Sequence, residues 1–132
     1  KKNLERLAKQ LEVDDQVIFL GYVKEPWFWF MRASVLLVTS RWEGMPNVVL
    51  EALVRGLPVL ATPECKALYE VQQEVAEDML VIEKWGDPFI RKLDVYSRKD
   101  NPIRRNQLPL RFHKDEAANQ FVRVLRQLIE SR

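Results

Sequence analysis

Among its 132 residues the sequence has a single histidine, His113, and a single cysteine, Cys65. One thiol forms no internal disulfide, and one imidazole without a second beside it makes no clustered metal site. A reducing, cytoplasmic setting without a clustered metal site is therefore the expectation. Glycine is also scarce. The four glycines, at 21, 44, 56 and 86, lie too far apart to spell G-x-G-x-x-G or G-x-x-x-x-G-K, which excludes the common dinucleotide and triphosphate loops. No apolar run nears the roughly 20 residues that span a bilayer, and no leader pattern opens the chain. Charge of one sign is lacking too, since 21 basic residues face 19 acidic ones, and a net +2 gives no argument for a nucleic-acid partner. The chain opens on Lys1, directly in a helical pattern, and reads as N-terminally truncated.

With 47% apolar and 30% charged residues, the composition is that of one ordinary globular domain over 1–132. Leu4, Leu7, Ala8 and Leu11 recur at helical spacing, predicting a helix over residues 3 to 12. Four short apolar runs follow, at 17 to 20, 35 to 38, 59 to 61 and 79 to 82. Each is continuous rather than alternating, as suits parallel strands buried on both faces. Helix-sized segments separate them: 26 to 33 opening at Pro26, 46 to 55 opening at Pro46 and stopping at Gly56, and 66 to 77. Strand alternating with helix predicts an α/β fold, a Rossmann-like doubly wound parallel sheet of about four strands. Residues 97 to 111 read as a basic loop carrying Arg98, Lys99, Arg104 and Arg105. Ala117, Phe121, Val124, Leu125 and Leu128 mark a closing amphipathic helix over 114 to 131 that should dock on an apolar surface.

The stretch that carries chemistry runs from Thr39 to Thr62, TSRWEGMPNVVLEALVRGLPVLAT. A buried strand ends, a polar loop follows, and a helix starts near Met45 or Pro46. Ligands of open α/β sheets bind at the carboxyl ends of strands, and the free N–H groups of a helix start favour an anion such as a phosphate. Gly44 leaves room for a ligand to approach the backbone. Asn47 and Glu51, four apart, share one face of that helix, while Val49, Leu50 and Leu53 cover the core side. With roughly 1.5 Å of rise per residue, Glu51 sits about 7 Å from the helix start, the offset of a ribose diol from a diphosphate bound there. Glu43 lies across the phosphate position, where a leaving sugar would project.

The pair Glu43 and Glu51, seven residues between them, within SRWEGMPNVVLEALVRGLPVLAT, resembles the motif of the retaining group 1 (family 4-like) glycosyltransferases of the two-Rossmann GT-B fold. FLGYV, at residues 19 to 23, resembles the strand and glycine loop that flank the nucleotide base in that family. The resemblance covers most of the C-terminal, donor-binding domain. It implies transfer of a sugar from a UDP- or GDP-linked nucleotide sugar with retained anomeric configuration and without metal or cofactor. It implies further that Glu43 is catalytic, at the donor sugar hydroxyls, and that Ser40, Arg41, Gly44, Met45, Pro46, Asn47, Val48 and Glu51 bind the donor. Gly21 and Tyr22 would meet the base. A saccharide or lipid-linked acceptor would be held by an N-terminal domain outside this sequence, with no nucleic acid involved. Where the family carries a glycine pair after residues 59 to 61, this sequence has Pro63, Glu64, Cys65 and Lys66. Glu70 resembles a family glutamate near that point.

Rival uses are weighed against these. A non-catalytic sugar-nucleotide module, or a phosphorylase or epimerase of the same fold, would share the nucleotide site. Trp27, Phe28, Trp29, Phe30 and Met31 read as core and interdomain surface rather than a stacking platform. His113 reads as a surface residue rather than a catalytic base, and Cys65 as structural. The basic loop reads as a solvated face, with attraction to anionic lipid at the inner face of a membrane as its functional alternative.

Overall fold

The computed structural model describes residues 1–98 and 104–130. Helix α1 spans Lys2–Gln10 and α2 Trp27–Arg32, and the sheet then begins with β1 at Leu36–Val38. α3 (Asn47–Val54), β2 (Val59–Ala61), α4 (Ala67–Gln72), β3 (Leu80–Ile82) and α5 (Asp87–Ser97) alternate after it. A 3-10 turn at Leu110–Phe112 leads into α6, Lys114–Glu130. The three strands are parallel in the order β1-β2-β3, with Leu36 opposite Val59 and Val59 opposite Leu80.

β2 shows why the strand sequences run apolar without alternation. Val59 and Ala61 point into a core shared with Val49 and Leu53 of α3 and Leu68 and Val71 of α4. Leu60, between them, points to the other face and packs with Phe89 and Tyr96 of α5. A strand with helices on both sides has no solvent face to fill with polar residues. The doubly wound α/β arrangement is thus present, with one expected strand fewer. Residues 17 to 20 lie outside any strand, because nothing sandwiches them: Ile18 is 73% exposed, and a parallel strand is stable only when covered on both faces.

Helix ends follow local rules. Pro26 and Pro46 sit at the N-caps of α2 and α3. Gly56, just past α3, has φ +64, the left-handed conformation that ends helices. α5 was not foreseen, although Gly86, Pro88 and the spacing of Phe89, Leu93 and Tyr96 announce it.

Part of the basic loop is structural rather than solvated. The Arg104 guanidinium donates to the carbonyls of Phe30 and Ala33 at the end of α2, satisfying acceptors that a helix terminus leaves open. Desolvation lowers its pKa. The Gln107 amide donates to the Leu53 carbonyl at 2.8 Å, so this segment also closes α3. Arg98 pairs with Asp94 at 3.0 Å on the surface, whereas Lys99 lies outside the described residues. Arg111 pairs with Glu74 at 2.9 Å and Glu70 at 3.6 Å, tying the 3-10 turn to α4, and its guanidinium stacks over Phe112. Helix α6 forms where expected, its predicted end at 131 lying outside the described residues. None of its residues is buried.

Candidate functional site

Because β1, β2 and β3 are paired in register, their carboxyl ends coincide. The Thr62 amide donates to the Val38 carbonyl at 3.0 Å and the Glu83 amide to the Ala61 carbonyl at 2.9 Å. These bonds carry the pairing one residue beyond the strands and fix where each following loop departs.

The loop after β1 holds most of the sequence-predicted residues. Arg41, Glu43 and Gly44 are exposed, Ser40 and Met45 are half-buried, and Pro46 is buried at the start of α3. Met45 packs on the core and anchors the loop's far end. Gly44 is held from below, since the buried Cys65 thiol donates to its carbonyl at 3.1 Å. A Cβ built on Gly44 would meet nothing within 4 Å, and its backbone is not left-handed, so the fold itself does not require glycine there.

In α3 the buried positions are Val49, Ala52 and Leu53, which turns Asn47 and the half-buried Glu51 to the other face. No side chain caps the N-terminus of α3. The Val49 amide is taken by the Pro46 carbonyl at 2.9 Å. The helix start therefore offers N–H donors and a positive dipole end directly beside Gly44.

A cavity of about 460 Å³ opens at the strand ends, lined by Thr39, Arg41, Thr62, Glu64 and Trp85. That volume falls within the range of small-molecule sites, roughly 300–1,000 Å³. The Thr62 hydroxyl, then the backbone N–H of Glu64, hold the Glu64 carboxyl below its ordinary pKa, and Arg41 adds to the effect. Glu64 is thus an ionised acceptor at the cavity wall. Trp85 is 71% exposed, its ring tilted against Phe89 at 5.1 Å.

The site therefore brings Ser40, Arg41, Glu43, Gly44, Met45, Pro46, Asn47 and Val48 into one loop and helix start, with Glu51 a turn further on. Of these, Arg41 lines the cavity. Gly21 and Tyr22 lie on the segment between α1 and α2; Gly21 has φ +70 and Tyr22 is exposed. Thr62, Glu64 and Trp85 escaped the sequence reading, yet each lies within three residues of the end of β2 or β3, where ligand contacts of such sheets concentrate. His113 lies elsewhere, its Nε2 3.1 Å from the Leu108 carbonyl oxygen. Among the described residues no group of three His, Cys, Asp or Glu converges, and no helix is long and apolar enough to cross a membrane.

Comparison with known proteins places these features in a family. The model of the glycosyl transferases group 1 matches residues 1–95. An uncharacterized glycosyltransferase of Methanocaldococcus jannaschii is 38% identical over 98 residues, 74% of this chain and 23% of that protein. The Vi polysaccharide biosynthesis protein VipC/TviE of Salmonella typhi is 36% identical over 59 residues, 45% of this chain and 10% of that protein. The lipopolysaccharide 1,6-galactosyltransferase of Escherichia coli K12 is 35% identical over 58 residues, 41% of this chain and 16% of that protein. The chain thus spans a quarter or less of the length of these relatives. No solved structure matches it. A family model that covers the sheet, the Glu43–Glu51 loop and helix, and most of α5 settles the relationship: the chain belongs to the group 1 glycosyltransferases.

Proposed function

We propose that this chain supplies the donor-binding part of a transferase that moves a sugar from a UDP- or GDP-linked donor to a saccharide or lipid-linked acceptor with retained anomeric configuration. The observation that carries the reading is the passage from β1 through Gly44 into the uncapped start of α3, with the exposed Glu43 before it and Glu51 after it. In this reading the diphosphate sits over Gly44, where no side chain blocks it. The amides of Asn47 and Val48 and the Arg41 guanidinium take up the negative charge that grows on the leaving diphosphate. Glu51 accepts the two ribose hydroxyls, the base lies toward Gly21 and Tyr22, and Glu43 faces the sugar. The bond from the anomeric carbon to the diphosphate oxygen breaks, the acceptor hydroxyl oxygen joins on the same face, and its proton passes to the departing diphosphate oxygen. Helix-end donors do here what a metal does in other transferases, so binding should be metal-independent. The acceptor would be held outside this domain, with the enzyme working in the cytoplasm.

Calorimetric titration of the full-length protein with UDP and GDP, in the presence of EDTA, tests the reading. Binding of one nucleotide that Glu51→Ala weakens is the expected result. Absence of binding, or binding that returns only with magnesium, would overturn it.

A further inference from the structure

The loop after β2 is tied to the loop after β1 at two points. At its start the Thr62 amide donates to the carbonyl of Val38, the last residue of β1, at 3.0 Å. Three residues later the buried Cys65 thiol donates to the Gly44 carbonyl at 3.1 Å. Glu64 lies between these ties and is the one charged residue from Thr62 to Cys65. Thr62 and Cys65 are both buried, and the ring of Pro63 fixes its own φ, so the backbone holds Glu64 where it is. Its side chain is exposed and shares the cavity at the strand ends with Arg41. The Thr62 hydroxyl, then the backbone N–H of Glu64, keep the carboxyl ionised, and Arg41 adds to the effect.

A fixed negative charge therefore stands one residue from the group that touches Gly44, the backbone over which the diphosphate is placed. It adds nothing to the attraction for phosphate oxygens, since a carboxylate accepts hydrogen bonds and repels another anion. It also attracts the Arg41 guanidinium, the cation that the donor loop offers to a leaving diphosphate. Both effects grow with the charge of the ligand. A free nucleoside has no charge to repel. A diphosphate freed from its sugar gains a further ionisation, because its terminal phosphate is no longer esterified, so it is repelled more than the sugar-linked donor. Preference between two ligands is a difference of affinities, and a repulsive element is one way to build it.

We infer that Glu64 is a counter-charge to the phosphate site, weakening the hold on freed nucleoside diphosphate more than on the sugar-linked donor and so favouring exchange of product for donor. The inference rests on the donor reading given above and adds to it a residue that regulates release. Glu64 needs no contact with the ligand. It is a positioning residue, acting through Arg41 and the field in the cavity.

The test titrates the full-length protein with UDP, GDP, their hexose-linked forms, the free nucleosides and inorganic pyrophosphate, in EDTA and again with magnesium. Glu64→Gln should tighten the bare diphosphate roughly 3- to 10-fold, tighten the hexose-linked form by less, and leave the nucleoside unchanged. Glu64→Asp, which keeps the charge, should bind as wild type does. The gain in Glu64→Gln should shrink as salt rises toward about 1 M, and should shrink again when Arg41→Gln is added. Unchanged or weaker binding of the diphosphate by Glu64→Gln would overturn the inference. So would magnesium that tightens wild type and not Glu64→Gln, the mark of a metal ligand. Should wild type bind pyrophosphate but no nucleotide, with pyrophosphate held more tightly by Glu64→Gln, the counter-charge stands and the donor reading falls. Should it bind neither, both fall.

Discussion

The thiol of Cys65, buried in the core at the start of the segment leading to α4, donates its hydrogen bond to the carbonyl of Gly44, 21 residues earlier in the chain. It joins the loop after β2 to the loop after β1 at the residue on which the proposed phosphate site depends. Cys65→Ala keeps an apolar side chain there and deletes the donor. It should cost about 1 kcal/mol of stability, the worth of an ordinary hydrogen bond, and should weaken diphosphate binding several-fold by loosening the loop. A melting curve and a titration on the same sample check both parts. Unchanged affinity would show that Met45 and Pro46 hold the loop unaided.

The two glutamates should separate by assay. Glu51 is placed against a part of the donor that reaction leaves unchanged, so Glu51→Ala should weaken nucleoside diphosphate binding by about 10- to 100-fold, the worth of hydrogen bonds to a charged group. Glu43→Gln should leave that affinity nearly intact and lower the single-turnover rate of sugar transfer. The opposite pattern would exchange the roles of the two residues.

Gly44→Ala distinguishes a glycine kept for the fold from one kept for a ligand. The added methyl meets open space and no strained backbone, so stability should hold or rise by about 0.4–1 kcal/mol through the unfolded chain. Diphosphate affinity should nonetheless fall by an order of magnitude or more. A melting temperature that drops with the affinity would mean that the loop itself needed glycine.

Gly56→Ala should do the reverse. A Cβ there would lie 2.5 Å from the Arg105 carbonyl oxygen and 2.8 Å from the Arg105 amide nitrogen, on a residue at φ +64. Strain and backbone clash together should cost about 2–4 kcal/mol, seen as a lower midpoint in urea. A variant as stable as wild type would show that residues 104 and 105 move aside freely.

Burial, and secondarily the Asp78 carboxylate, push the Tyr96 hydroxyl up to about 12, and in its neutral form it donates to the Asp78 carbonyl at 2.7 Å. An unfolded tyrosine ionises near pH 10. Between about 10 and 12 the unfolded chain releases this proton while the folded one keeps it, so stability falls as pH rises through that window and is unaffected below it. Tyr96→Phe should lose about 1 kcal/mol at neutral pH and flatten the alkaline decline. Parallel alkaline melts of the two proteins would reveal a decline of equal slope if another group causes it.

The contrast between residues 17 to 20 and 59 to 61 shows what the sequence could convey. Both are apolar runs closed by a turn signal, but only the second has helices on both faces, and covering is a property of the fold rather than of the run. The Glu43–Glu51 unit was legible because loop, cap and helix face are local, all within a dozen residues. Thr62, Glu64 and Trp85 were not, since they come together only through strand register across more than twenty residues. Arg104 misled for a similar reason. A guanidinium in a polar stretch looks like surface until the carbonyls of Phe30 and Ala33 appear opposite it, more than seventy residues away in sequence.

That contact has a consequence for where the folding unit stops. The family match ends at residue 95, past every strand, as though the remainder were appendage. Yet the Arg104 guanidinium seals the end of α2, Gln107 bonds to the end of α3, and Arg111 grips α4. Three helices from the matched region are thus clasped by one short stretch beyond it, much as a strap closes over parts already assembled. What that stretch has to supply is small: a cation or an N–H returned to each of the three helices.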